Sequence, residues 1–309
     1  MTARLFRGLA WAATLGATAA LFFLGDAYAL RIGMTLAMFI ALASGWNIIG
    51  GMAGYPSFAT AGFFGLGAYA GALTQLRGVP MPLAWIVAAG VAAIVALAVG
   101  WIVLRLRGHY FAIASLAVMM VLRELATNWT MLTGGGMGLN LPVLQLGIIA
   151  QARLFFAAQA GLAIIAVIIS ALVASSGLGF ALRCIRQNET AAGMLGLDAR
   201  RAKSIAFAIC AALAGAAGAI YASAISYIDP TDVFDLLNTV QPIIMAMLGG
   251  VGTVAGPVIG AALFVVLEQS IWTNFLSVHA ALLGALVVAL ALFLPQGMLG
   301  QFHRRKVKP

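Results

Sequence analysis

Charge is scarce in this chain. Of 309 residues, 8% are Asp, Glu, Lys or Arg, while 63% are hydrophobic and the mean hydropathy is +1.07. A soluble domain cannot be built from such a composition. Cysteine is limited to Cys184 and Cys210, whose positions suggest neither a disulfide nor a metal site. The three histidines, His109, His279 and His303, are scattered and lack ligand spacing. The dipeptide Gly-Lys does not occur, and Lys203-Ser204 lacks preceding glycines, so there is no phosphate-binding loop. Nor is there a nucleophile, base and orienter in one plausible site, which argues against an enzyme. The net charge of +9 invites a nucleic-acid reading. That reading fails because the basic residues sit at the ends of apolar runs and not along one face.

Long apolar runs are what the chain has instead. Alternation in short segments of about ten residues, the mark of a transmembrane barrel, is not visible. Runs of roughly 18 residues or more recur throughout, so the expected class is all-α, a polytopic helical membrane protein forming a single domain over 1–309. About ten spans are expected. Residues 1–29 hold Arg4 and Arg7, an apolar core at 9–24 and Ala27-Tyr28-Ala29. This pattern fits a cleaved signal peptide or an uncleaved first span; the span is favoured because others follow at once. Further spans are expected at 32–49, 58–76, 83–104, 110–131, 154–174 and 205–225. A short apolar stretch covers 236–248, a ninth span opens at Gly256, and a tenth covers 280–294. An outer loop is expected at about 132–152.

Charge tests this topology. With both termini cytoplasmic and ten spans, thirteen of the seventeen basic residues fall inside, while Asp26, Asp229, Asp232 and Asp235 fall outside. Removing one of the two short segments around 249–257 would place the basic tail outside. Those segments therefore cross, or re-enter, as a pair.

Two features stand out against the apolar background. Residues 183–203 hold seven charged residues, and their middle, Glu189-Thr190-Ala191-Ala192 followed by Gly196, reads as a short amphipathic helix ending at a glycine. A cytoplasmic loop of this kind, about 178–203, suits the docking of a partner. The second feature is a pair of glycine breaks, Gly50-Gly51 and Gly249-Gly250-Val251-Gly252. Broken backbone at membrane depth is tolerated where it is buried in protein or lines a cavity, and the comparable placement hints at an internal repeat. Arg123, Glu124 and Glu268 are charges at membrane depth, where function is the default hypothesis, although Arg123 can also snorkel to the interface.

Several stretches taken together carry a resemblance. They are Trp46-Asn47-Ile48-Ile49-Gly50-Gly51-Met52-Ala53-Gly54, the glycine-rich run from Ser57 to Tyr69, Arg105-Leu106-Arg107-Gly108-His109-Tyr110, and Leu132-Thr133-Gly134-Gly135-Gly136-Met137-Gly138-Leu139. The basic loop and Leu248-Gly249-Gly250-Val251-Gly252-Thr253-Val254-Ala255-Gly256-Pro257 complete the set. In this order they resemble the permeases of branched-chain amino acid ABC importers, specifically the M-type (LivM-like) subunits, over about 30–300.

The resemblance implies a transport subunit of the bacterial inner membrane that carries no cofactor itself, with ATP and Mg held by a partner ATPase. Implied partners are a homologous second permease, two ATPase subunits and a periplasmic or extracellular solute-binding protein, in a surround of membrane lipid. It makes 178–203 a coupling loop, with Arg186, Glu189, Ala191, Ala192 and Gly196 at the ATPase; Thr190 is inserted after the glutamate relative to the usual Glu-Ala-Ala-x-x-x-Gly pattern. Asn47, Ser57, Thr60, Gly249, Gly250 and Gly252 are candidates for the translocation path, with packing as the alternative role for each polar side chain. Two other readings stay open: an ABC permease for urea, short amides or another small solute, and an ion-coupled secondary transporter using Glu124 or Glu268.

Overall fold

The computed structural model describes residues 25–274. The expected first span (9–24), the tenth (280–294), the basic tail, His279 and His303 lie outside the described residues.

Asp26 caps the first helix, α1 (Ala27–Trp46), by accepting from the Ala29 N–H. The helix does not stop at the first glycine pair. It runs on as a wide π-helical turn, Asn47–Met52, and the break falls later, between Ala53 and Ala59. This moves the expected break at Gly50: the glycines sit inside the helical path. The chain continues through α2 (Thr60–Leu76), α3 (Met81–Val103) and α4 (His109–Asn128). A short α5 (Thr130–Thr133) and a 3-10 turn lead to β1 (Leu139–Asn140). Then come α6 (Ile148–Ser175), α7 (Gly177–Gln187), α8 (Glu189–Met194) and α9 (Ala199–Ile225). The described chain ends with β2 (Tyr227–Ile228), α10 (Pro230–Val233), α11 (Leu237–Gly249) and α12 (Gly256–Asn274).

Five of these segments are long and apolar enough to cross a membrane: α1 with its π turn, α3, α4, α6 and α9. The remaining apolar helices are short or enclosed. At 13 residues, α11 rises about 20 Å, less than the hydrocarbon thickness of a bilayer. Compared with expectation, α6 and α9 each begin about six residues early, which shortens the outer loop to about 132–147.

The bundle is built around α2, against which α9, α3, α4 and α11 pack. Small residues set the spacing. A methyl on Gly67 would lie 2.2 Å from the Gly215 backbone, and one on Gly218 would lie 2.0 Å from the Phe64 carbonyl oxygen. On α3 the buried residues Ala84, Ala88, Ala92 and Ala96 recur every fourth position, one flat ridge against α9. With no water to expel from between helices in lipid, such close backbone approach supplies the dispersion contact that holds them. At the expected outer end, β1 pairs antiparallel with β2, Leu139 opposite Ile228, which joins the glycine-rich loop to the acidic segment 229–235.

Candidate functional site

The two glycine pairs, about 200 residues apart in sequence, meet. The link is the carboxamide of Asn47, on the π turn. Its Nδ2 donates to the Thr253 carbonyl at 2.8 Å and its Oδ1 accepts from the Gly252 N–H at 2.7 Å. Asn47 is wholly buried, so these bonds satisfy one donor and one acceptor of a loop that has no helix of its own to satisfy them. Gly51 must lack a side chain here. A methyl would sit 2.0 Å from Asn47 Oδ1 and 2.8 Å from the Gly252 nitrogen. Across the junction α11 and α12 form a tight hairpin, in which a methyl on Gly249 would lie 1.7 Å from the Gly256 oxygen. Thr253 seals the turn, its hydroxyl donating to Gly250 O and accepting from Gly256 N.

The basic loop reaches this junction. On α7, Arg186 Nη1 donates to Gly51 O at 2.6 Å, and the same nitrogen would lie 3.0 Å from a methyl on Gly252. One guanidinium thus bonds to the first glycine pair and lies beside the turn of the second. Asn188 caps α8 through the N–H groups of Thr190 and Ala191. The first residue of α8, Glu189, turns inward. Its carboxylate accepts from Lys203 Nζ at 2.8 Å and from the Tyr55 hydroxyl, and pairs with Arg107 at 3.4 Å.

Lys203, 2% exposed, also donates to Tyr55 Oη and Leu104 O, and lies 4.3 Å above the Tyr55 ring. A buried ammonium is tolerable only with such a set of partners. Burial raises the Glu189 carboxyl pKa, but hydrogen bonds from Lys203 and Tyr55 and the charges of Lys203 and Arg107 outweigh it, holding the carboxyl below its ordinary range. Burial and the neighbouring carboxylate push the Tyr55 phenol up.

The expected coupling residues therefore divide. Glu189 and Ala192 face this chain's own interior: Ala192 is 1% exposed and a charge there would unseat the loop from its own core. Ala191 and Gly196 are exposed, and Gly196, at φ +79, closes α8 as anticipated. The apolar surface the loop presents is Met194, 83% exposed, beside Leu195, 73% exposed.

Of the path candidates, Asn47, Gly249, Gly250 and Gly252 gather at the junction. Ser57 and Thr60 are buried nearby at the start of α2, whose free N–H groups are met by hydroxyls: Ser115 from α4 accepts from Phe58 N, and Thr239 from α11 accepts from Ala61 N. Arg123 and Glu124 are exposed and do not pair, Glu124 accepting instead from Asn128. Glu268 accepts from Gln241 Nε2 at 3.3 Å.

Sequence reasoning missed Tyr55, Arg107, Lys203 and Thr253. Lys203 was legible in principle. It stands four residues before Phe207 and seven before Cys210, on the helix face that turns out to be buried.

Helices long and apolar enough to cross a membrane, packed around two joined glycine segments with a polar loop hooked to the joint, fit a multi-pass membrane permease. The chain belongs to the branched-chain amino acid transport system permease component family, whose model matches residues 28–294. It is 31% identical to the high-affinity branched-chain amino acid transport system permease protein LivM of Escherichia coli, over 86% of this chain and 68% of that one. It is 30% identical to LivM of Salmonella typhimurium, over 85% and 68%. The permease protein LivH of Salmonella typhimurium is 27% identical over 89% of this chain and 96% of its own. No solved structure matches the chain.

Proposed function

We propose that this permease subunit carries leucine, isoleucine and valine across the bacterial inner membrane, as one of two homologous permeases driven by two ATPase subunits and fed by an external solute-binding protein. The names of the relatives support the cargo, and the likeness to both LivM and LivH supports the pairing. Ten spans with both termini cytoplasmic fit the charge distribution once 9–24 and 280–294 are added to the eight apolar segments α1, α2, α3, α4, α6, α9, α11 and α12. ATP and Mg belong to the partner ATPase.

The observation that carries the coupling role is the double attachment of the 178–203 loop. Its exposed Met194–Leu195 ridge suits an apolar groove on the ATPase, while Arg186 and Glu189 hold the same loop to Gly51 and to Lys203 of α9. Closure of the ATPase pair moves the ridge. Arg186 passes that motion to both glycine breaks, Lys203 passes it to α9, and the bundle changes the side to which it opens.

The test is a tagged chain with Met194→Asp and Leu195→Asp. Both side chains are exposed, so the yield of folded chain is expected to hold while the ATPase subunits are lost on co-purification and leucine uptake into proteoliposomes stops. Wild-type ATPase retention together with wild-type uptake would overturn the assignment.

A further inference from the structure

At the same end of the bundle lies a charge arrangement outside the contacts of Arg186, Glu189 and the Met194–Leu195 ridge. Trp101, near the C-terminus of α3, is 58% exposed. The guanidinium carbons of Arg105 and Arg200 each lie 4.6 Å from its ring centroid, and Arg200 Nη2 also donates to the Trp101 carbonyl at 2.9 Å. Two like charges are thus held within twice that distance of each other. Neither has a carboxylate: among the described residues the ion pairs are those of Glu189 with Lys203 and Arg107. The nearest acidic residue in sequence, Asp198, spends its side chain capping α9. Toward the middle of α3 the face that carries Trp101 is apolar and exposed, with Leu97 four residues and Ile94 seven residues before it, and Ile205 of α9 is exposed as well. Paired cations over an aromatic ring, with an aliphatic wall leading toward the bilayer core, match a phosphate headgroup with acyl chains below it. A docking face for a soluble protein would not continue into hydrocarbon.

We infer that Trp101, Arg105 and Arg200 form a site for the phosphate of an anionic phospholipid in the cytoplasmic leaflet, with the acyl chains lying along α3 and Ile205. The leaflet rests on the orientation proposed above; the lipid chemistry does not.

The experiment is tryptophan quenching in the full chain reconstituted into phosphatidylcholine vesicles, with bromine carried either on phosphatidylglycerol or on an equal amount of phosphatidylcholine. The Trp101 signal is the difference between the natural chain and Trp101→Phe. Expected is stronger quenching from brominated phosphatidylglycerol, with the preference falling about fivefold for each of Arg105→Gln and Arg200→Gln, and unchanged by excess inorganic phosphate.

Equal quenching by the two lipids would overturn the site, as would a preference that survives the double variant. Reversal by inorganic phosphate would make it a free-phosphate site instead. Loss of the ATPase from the double variant, without any lipid preference in the natural chain, would reassign the patch to protein docking. Because the vesicles carry the same lipid in both leaflets, a chain of opposite orientation would still show the preference. Labelling of a cysteine placed at Arg201 from outside intact cells would expose that separate error.

Discussion

The two glycine pairs look alike in sequence and do different physical work. At Gly50-Gly51 the backbone stays helical, and the glycines are required because the Trp46 ring and the Asn47 carboxamide fill the space where side chains would be. At Gly249-Gly250 the chain reverses, with φ of +131° at Gly250 and +81° at Gly252, and the two helices it joins touch backbone to backbone. One pair makes room for side chains; the other makes room for main chain. They also differ in attachment. The first pair is held directly by the basic loop through Arg186, and the second is held chiefly by the first helix through Asn47.

That difference should be largest in alanine substitutions. Gly249→Ala puts a methyl 1.7 Å from a backbone oxygen that cannot turn aside, and no folded chain is expected on size-exclusion chromatography of detergent extracts. Gly50→Ala meets the Trp46 ring at 2.4 Å, a side chain that can yield at the expense of its bond to Ser57 O. The expected cost is about 1–3 kcal/mol, seen as a lower melting temperature of a folded chain. Equal losses at the two sites would erase the distinction.

The loop's grip on α9 is next. Glu189→Gln leaves Lys203 buried without a counter-charge, and about 3–5 kcal/mol of stability should go with it. Adding Lys203→Met should restore most of that, because an apolar side chain needs no partner. The pH dependence has a definite sign. A carboxyl held below its ordinary value stabilises the fold above that value, about 4.3, and the contribution is lost as pH falls through the lowered one. The melting temperature should therefore hold through neutral and mildly acidic pH and fall below that range. In the double variant this acid-sensitive part should vanish.

Much of the architecture was legible because lipid leaves few options: apolar length marks helices. The helical character of 189–194 and its glycine stop also followed from local pattern. The junction did not. Nothing in the run Trp46-Asn47-Ile48 says that the carboxamide of Asn47 will pair with a loop 206 positions further on, because hydrogen-bond complementarity between distant backbone groups leaves no periodic trace. The inward turn of Glu189 was hidden for a related reason. Its partners Tyr55, Arg107 and Lys203 come from three separate segments, each of which reads alone as interface or topology charge. The alanine ridge of α3 was masked by its surroundings: in a sequence this apolar, a small residue every fourth position is easily lost among the others.

A last set of variants tests whether the two glycine pairs act as one unit. Asn47→Leu keeps the volume but leaves Gly252 N–H and Thr253 C=O unpaired, at about 1–3 kcal/mol for each. Asn47→Asp keeps the acceptor for Gly252 but turns an oxygen toward the Thr253 oxygen, so its loss should be comparable and not intermediate. Gly252→Ala retains every hydrogen bond and strains only a left-handed residue, for about 1–2 kcal/mol, with the Arg186 nitrogen 3.0 Å from the new methyl able to shift. If Asn47 joins the breaks mechanically, its variants should uncouple ATP hydrolysis from uptake in the reconstituted complex. Gly252→Ala should only slow both together. Uncoupling in Gly252→Ala but not in Asn47→Leu would place the transmission in the hairpin turn itself and leave Asn47 a packing residue.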